Sequence, residues 1–216
     1  MRMSQLSTAS GVPVATIKYY LRESLLPAGV ATSANQTDYS DEHVRRLKLI
    51  RALIQIGGLT VATARTVLEA VDTPDLPLTH IFGVAQHSIS GADLYDPVED
   101  GSGTAKVAAL IERRGWAVEA DNPGARGAAR VLDAYERIGH PELAEIWDGY
   151  ADGAELIATA DLEAIARLSE VSAMAETVVV GTVLGDALVA SLRRMAQAHV
   201  SFQMFPAPMH ERENQS

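Results

Sequence analysis

Cysteine is absent from all 216 residues, so this chain can form neither a disulfide nor a thiolate metal site, which fits a reducing compartment. No run approaches the roughly 20 consecutive apolar residues of a membrane span, and the first residues lack the apolar core of a secretion signal. The expectation is a cytoplasmic protein with no membrane contact. No Gly-rich phosphate loop, Gly-x-Ser-x-Gly elbow or His-Glu-x-x-His occurs, so neither an enzyme nor a bound cofactor is expected. Of the six histidines only His80 and His87 share a helix face, and seven residues set them about 10 Å apart along the axis. Ligand bonds near ~2 Å cannot join both to one ion, so no metal site is expected. Glu142, Glu145, Asp148 and Asp152 have the spacing of one wetted helix face, not of a catalytic pair.

Positive charge is also short: 18 Lys and Arg stand against 28 Asp and Glu. The distribution matters more than the sum. Residues 1–72 hold 8 basic and 6 acidic side chains, a net of +2, which leaves −12 for the remaining 144 residues. A slightly basic head on an acidic body suits a chain that presents only its head to a polyanion.

What is present in that head is the stretch from Ser10 to Pro27. Gly11 allows a sharp turn after a first short helix over Gln5 to Ala9, which Ser4 is expected to cap, with Leu6 and Ala9 turned inward. Pro13 suits the first turn of a second helix, where its missing N–H has no partner to lose. Along that helix Val14, Ile17, Leu21 and Leu25 recur at helical spacing and are expected inside, leaving Thr16, Lys18, Tyr19 and Arg22 outside. Two cations with hydroxyl groups suit phosphates, and Thr16 near the helix start is placed to reach base edges; the hydroxyl of Tyr19 or Tyr20 is a further donor.

Residues Met3 to Val71 resemble the MerR-type winged helix-turn-helix domain in order and spacing. Ala-Thr-Ile-Lys-Tyr-Tyr at 15–20 stands where that family has its Ile-Arg-Tyr-Tyr signature, followed by Glu23-Ser-Leu-Leu as the end of a recognition helix. Tyr39 to Ile50 matches the third helix, and Ile56-Gly-Gly-Leu-Thr60 the turn into a fourth. The resemblance implies a β-hairpin wing over Ala28 to Tyr39, and a homodimer that reads a pseudo-palindromic operator in double-stranded DNA. RNA polymerase at the promoter is an implied partner. It places Thr16, Lys18, Tyr19, Tyr20, Arg22, Thr32, Asn35, Gln36, Tyr39, Arg45 and Lys48 at DNA. The wing departs from the family pattern, with Val30 and Asn35-Gln-Thr37 where many relatives carry arginines, so a weaker backbone contact is expected. That departure supports the alternative of a protein-interaction adaptor built on a winged-helix head. The absence of cysteine separates the chain from relatives that sense metals or oxidants through thiols.

Helix α-type periodicity continues with Asp41 and Glu42 in a favourable first turn, a helix to about Ile56, and another from the Thr60 cap through Val71. Arg45, Arg46, Lys48 and Arg51 are left for phosphates or surface pairs. Pro74 and Pro77 then mark a linker at 73–78 and rule out direct continuation into the family's long pairing helix. From 79 to 205 every periodic segment reads as helix: about 79–90, 103–114, 124–139, 141–166 and 168–200, the last bent near Gly181. The fold class is therefore mainly α, a winged helix-turn-helix of four helices and a hairpin over 1–72 followed by an all-helical domain.

In the last segment Val180, Leu184, Leu188, Leu192 and Met195 form a stripe that suits either a subunit interface, paired as a four-helix bundle, or the monomer's own core. Gly181 and Gly185 would admit a close helix. Its end also faintly resembles TetR-type effector domains. Trp116, Tyr135, Trp147 and Tyr150 suit either packed core or the wall of a small-molecule effector pocket, for which nearby acids would favour a cationic ligand. The polar tail, 206–216, is expected to be disordered.

Overall fold

A computed structural model describes residues 1–33, 36–89, 101–119 and 122–205. Asn35 and the tail beyond 205 lie outside the described residues. Helix α1 spans Met3–Ser10 and α2 Val14–Arg22, followed by the hairpin β1 (Val30–Ser33) and β2 (Gln36–Asp38). Then come α3 (Asp41–Gln55), α4 (Val61–Asp72), α5 (Leu78–Ile89), α6 (Ser102–Arg114), α7 (Pro123–Arg137), α8 (Trp147–Ala166) and α9 (Val171–Met204). The two strands pair antiparallel, Val30 opposite Asp38 and Ala31 opposite Thr37, with an irregularity between Ala31 and Ser33. The chain is mainly α, as the periodicity predicts.

Several boundaries differ from those expectations. Ser4 lies inside α1, because Gln5 Oε1 accepts from the Arg2 amide at 2.7 Å and starts the helix earlier. Ala9 is exposed, and Ser10 is buried in its stead, its hydroxyl donating to Leu6 O at 2.7 Å. Residues 141–144 form a separate 3₁₀ turn ahead of α8 instead of joining it. Helix α9 continues through Gly181 without a break, for 34 residues or about 51 Å. It is long and apolar enough, with a mean hydropathy of 1.6 over its best window, to cross a membrane by length and composition, which the sequence reading did not anticipate. Its Val178, Val179 and Val183 nonetheless lie in the protein's core, packed with head residues.

That core is continuous across residues 73–78. Leu6, Ile17, Leu47, Ile50, Leu53, Val67 and Leu68 of the head pack in one cluster with Ile81 and Ala85 of α5 and with Ala175, Val178, Val179 and Val183 of α9. At α3's end the Gly57 amide donates to Ala52 O at 3.0 Å, and Gly58 takes φ +72°. A Cβ on Gly57 would overlap Val183 Cγ1 and stand 2.7 Å from Leu53 O, so a bare backbone is what lets α9 approach. Gly181 and Gly185 are different: among the described residues a Cβ on either meets nothing within 4 Å, so no described helix presses on them.

A second, smaller cluster of Val107, Ala129 and Leu132 joins α6 to α7, with Trp147 of α8 against it. Asp133 on α7 accepts from the Gly103 amide at 2.7 Å, capping α6 from across the pair. Lys106 pairs with Glu136, and this bond, with one from Ser102, holds the Glu136 carboxyl below the usual carboxylate range.

The Gly57 contact yields a stability prediction. Gly57→Ala should lower unfolding stability by about 1–3 kcal/mol through overpacking against α9, whereas Gly58→Ala should cost about 1 kcal/mol for its left-handed backbone. Urea melts of both variants check this; equal costs would contradict the close approach of α9.

Candidate nucleic-acid interface

Helix α2 is held from three sides. At its start, Gly11 (φ +68°) closes α1, its amide donating to Ser7 O at 2.9 Å, and Arg51 of α3 donates to Gly11 O at 3.2 Å. At its end, Ser24 takes φ 60° and turns the chain so that Leu25 and Leu26 are buried. Beneath that turn Arg46, whose side chain is 12% exposed, donates Nε to Leu25 O at 3.0 Å and grips both oxygens of Asp72 at 2.9 and 2.5 Å. One guanidinium thus ties the end of α2 to α3 and α4. Sequence reading left Arg46 and Arg51 as surface cations; the folded chain uses both as braces.

The outward side of α2 is rotated from the expected one. Ile17 is fully buried and Tyr20 is 7% exposed, whereas Val14 is exposed. Tyr20 therefore turns mostly into the core instead of outward: burial pushes its phenol pKa up, partly offset by Arg51. Thr16 is half-buried at the edge of the exposed arc, which is centred on Ala15, Lys18 and Arg22 with Tyr19 half-buried beside them. The Arg22 guanidinium lies 5.1 Å from the Tyr19 ring centroid, fixing the aromatic face. Arg22 also sits 3.6 Å from Glu23, whose other oxygen is 3.9 Å from Arg65.

Tyr39 is corrected in the same way. It is 7% exposed, its ring meets His43 edge-on at 5.2 Å between centroids, and its backbone pairs with Met1, so it anchors the wing rather than facing outward. Ser40 and His43 close a reciprocal cap at the start of α3. Arg45 is exposed and paired with Glu42, and Lys48 is exposed.

The wing's missing arginines have a counterpart that the sequence pattern does not reveal. Arg2 donates to Thr32 Oγ1 at 3.1 Å and Gln36 Oε1 at 2.8 Å, and lies 3.4 Å from Asp38. Its side chain is still 46% exposed, so a cation from the N-terminus sits on the hairpin, 30 or more residues away in sequence. Only the folded chain reveals this neighbour.

In the body, Trp116, Tyr135, Trp147 and Tyr150 do come together, lining one cavity between α6, α7 and α8. The proposed interface stripe divides: Val180 and Leu184 are half-buried, Leu184 against the chain's own core, while Leu188, Leu192 and Met195 are 60, 52 and 67% exposed.

Comparison with known proteins agrees with this arrangement. Residues 1–71 match the MerR HTH family regulatory protein family. The HTH-type transcriptional regulator ZntR homolog of Haemophilus influenzae is 40% identical over 50 residues, which cover 23% of this chain and 37% of that protein's length. The crystal structure of SCO5550, a candidate transcriptional regulator from Streptomyces coelicolor A3(2), superposes with a TM-score of 0.71 at 34% identity, over 97% of this chain and all of that one. With the head's motifs, its fold and a full-length relative all in agreement, the chain belongs to the MerR-type helix-turn-helix transcriptional regulators.

Proposed function

We propose that the chain binds double-stranded DNA as a homodimer, one α2 helix per subunit entering successive major grooves of a pseudo-palindromic operator. The observation that carries this reading is the outward face of α2, where Lys18 and Arg22 are exposed beside a half-buried Tyr19 packed at the core's edge, next to a hairpin bearing Arg2. Lys18, Arg22, Lys48 and Arg2 meet phosphates; Thr16 and Tyr19 reach base edges; Thr32 and Gln36 steady the wing on the backbone. Family membership favours this over the adaptor alternative. As a cytoplasmic regulator it would share promoter DNA with RNA polymerase, and a small-molecule effector in the α6–α8 cavity would set the geometry of the two heads.

The second copy docks along the far half of α9. Every residue from 190 to 205 is exposed on the single chain, and Leu188, Leu192 and Met195 repeat at three- to four-residue spacing. About 20 helical residues with an apolar stripe are marginal alone in water and call for a partner helix. Because the near half of α9 is packed under the head, pairing through the far half would fix the distance between the two recognition helices.

A footprint on the DNA around the protein's own coding region would supply the operator. On it, Lys18→Ala should weaken binding by the same factor as on random DNA and lower the salt slope by about one. Thr16→Ala and Tyr19→Ala should cost about 1–3 kcal/mol more on the operator than on random DNA in gel retention. Equal losses would contradict the base-reading roles. Leu188→Asp combined with Leu192→Asp should give monomers in sedimentation velocity; a surviving dimer would move the interface elsewhere.

A further inference from the structure

The α6–α8 unit has a hollow centre. Its buried cluster among the described residues is small, Val107, Ala129 and Leu132, while beside it lies an open cavity of about 810 Å³. Both tryptophans of the chain line this cavity, with Tyr135 and Tyr150. The same helices α7 and α8 also line it with alanines, among them Ala125, Ala128 and Ala154, where larger side chains would have filled the space. Large rings alternating with small residues leave room between the helices, and the volume falls within the ~300–1,000 Å³ of small-molecule sites.

Charge narrows the occupant. Among the described residues Glu155 is the one charged side chain in the lining, and Arg114 Nη1 lies 3.5 Å from it. The same guanidinium donates to Asp152 at 2.7 Å, lies 3.7 Å from Asp148, and sits 5.7 Å from the Trp116 ring. Arg113 pairs with the same Oδ1 of Asp148 at 2.5 Å. Asp148, Asp152 and Glu155 are thus each paired with an arginine of the same chain, so among the described residues the cavity's own carboxylate is engaged and does not stand free for a cation.

Size argues against a partner helix. A helix about 10–12 Å across with a 5.4 Å pitch occupies roughly 500 Å³ per turn, so the cavity would hold fewer than two turns. The mouth is also tied to the chain's own α9, where Arg193 donates to the Tyr150 hydroxyl at 3.0 Å and stacks 5.4 Å from its ring.

We propose that this cavity binds one uncharged, flat, polycyclic apolar molecule per protomer, stacked among Trp116, Tyr135, Trp147 and Tyr150. This deepens the reading of the chain as an effector-controlled regulator and rests on it.

The test uses the full-length protein and Nile red, an uncharged planar dye, with rhodamine 6G as the planar cation and 8-anilinonaphthalene-1-sulfonate as the anion. Nile red should saturate at one per protomer, quench tryptophan emission, and bind at least about tenfold tighter than either ion. Ala154→Trp, and separately Thr159→Tyr, both at exposed positions on the cavity side of α8, should weaken Nile red about tenfold or more while sedimentation stays unchanged. Tighter rhodamine binding would overturn the uncharged class. Unsaturable Nile red, or equal affinity in both filled variants, would overturn the site, and monomers produced by either variant would give the cavity to the second copy instead. Operator retention of the dye-free protein is scored separately, so its loss with Nile red binding intact would sink the regulator reading and not the cavity.

Discussion

The burial of Val178, Val179 and Val183 against the head is the contact on which the molecule's organisation depends. These three side chains put the first half of a roughly 51 Å helix into the same core as Leu47, Ile50, Leu53 and Leu68. Head and α9 cannot then rotate independently without opening that core, whose close packing transmits displacement instead of absorbing it. Gly57 is the local condition for the contact, since any Cβ there would occupy the place of Val183 Cγ1.

Two exposed surfaces start from that shared core. On one side, Ile17 and Tyr20 pin α2 inward and leave Lys18 and Arg22 outward, with Arg46 and Arg51 clamping its two ends. On the other, α9 leaves the core near Leu184 and carries its exposed stripe away from the head. The α6–α8 unit hangs between them, joined to α9 through Arg193 and Tyr150 at the cavity mouth, and to the head side through Gln86 of α5, which also lines the cavity.

Arginine use shows how little local pattern says about a cation's role. Arg45, Arg46, Lys48 and Arg51 alternate along one helix and look equivalent as sequence, yet Arg46 is nearly enclosed and grips Asp72 and Leu25 O, while Arg51 accepts no such burial and caps the Gly11 turn. Arg2 sits outside any motif and still reaches the hairpin, at Thr32, Gln36 and Asp38. Guanidinium groups with long stems reach partners 20 to 40 residues away, and no short-range spacing encodes that reach.

Local chemistry determined a good deal unaided. Turn residues Gly11 and Gly57-Gly58, the Thr60 cap and the 3.6-residue spacing of Leu47, Ile50 and Leu53 specify the helices of the head, because caps and periodicity act within a few residues. The aromatic set at 116, 135, 147 and 150 was also legible as a cluster, since helices of that length must fold back on one another. What tertiary structure alone decided was rotation and pairing: that Tyr20 turns in and Val14 out, that Tyr39 is an anchor, that Arg114 pairs with Asp152 and Glu155 beside the cavity, and that α9 belongs half to the head and half to the surface. A helix's own residues fix its period, but which side of it is buried is set by the neighbours it meets, and those neighbours lie far along the chain.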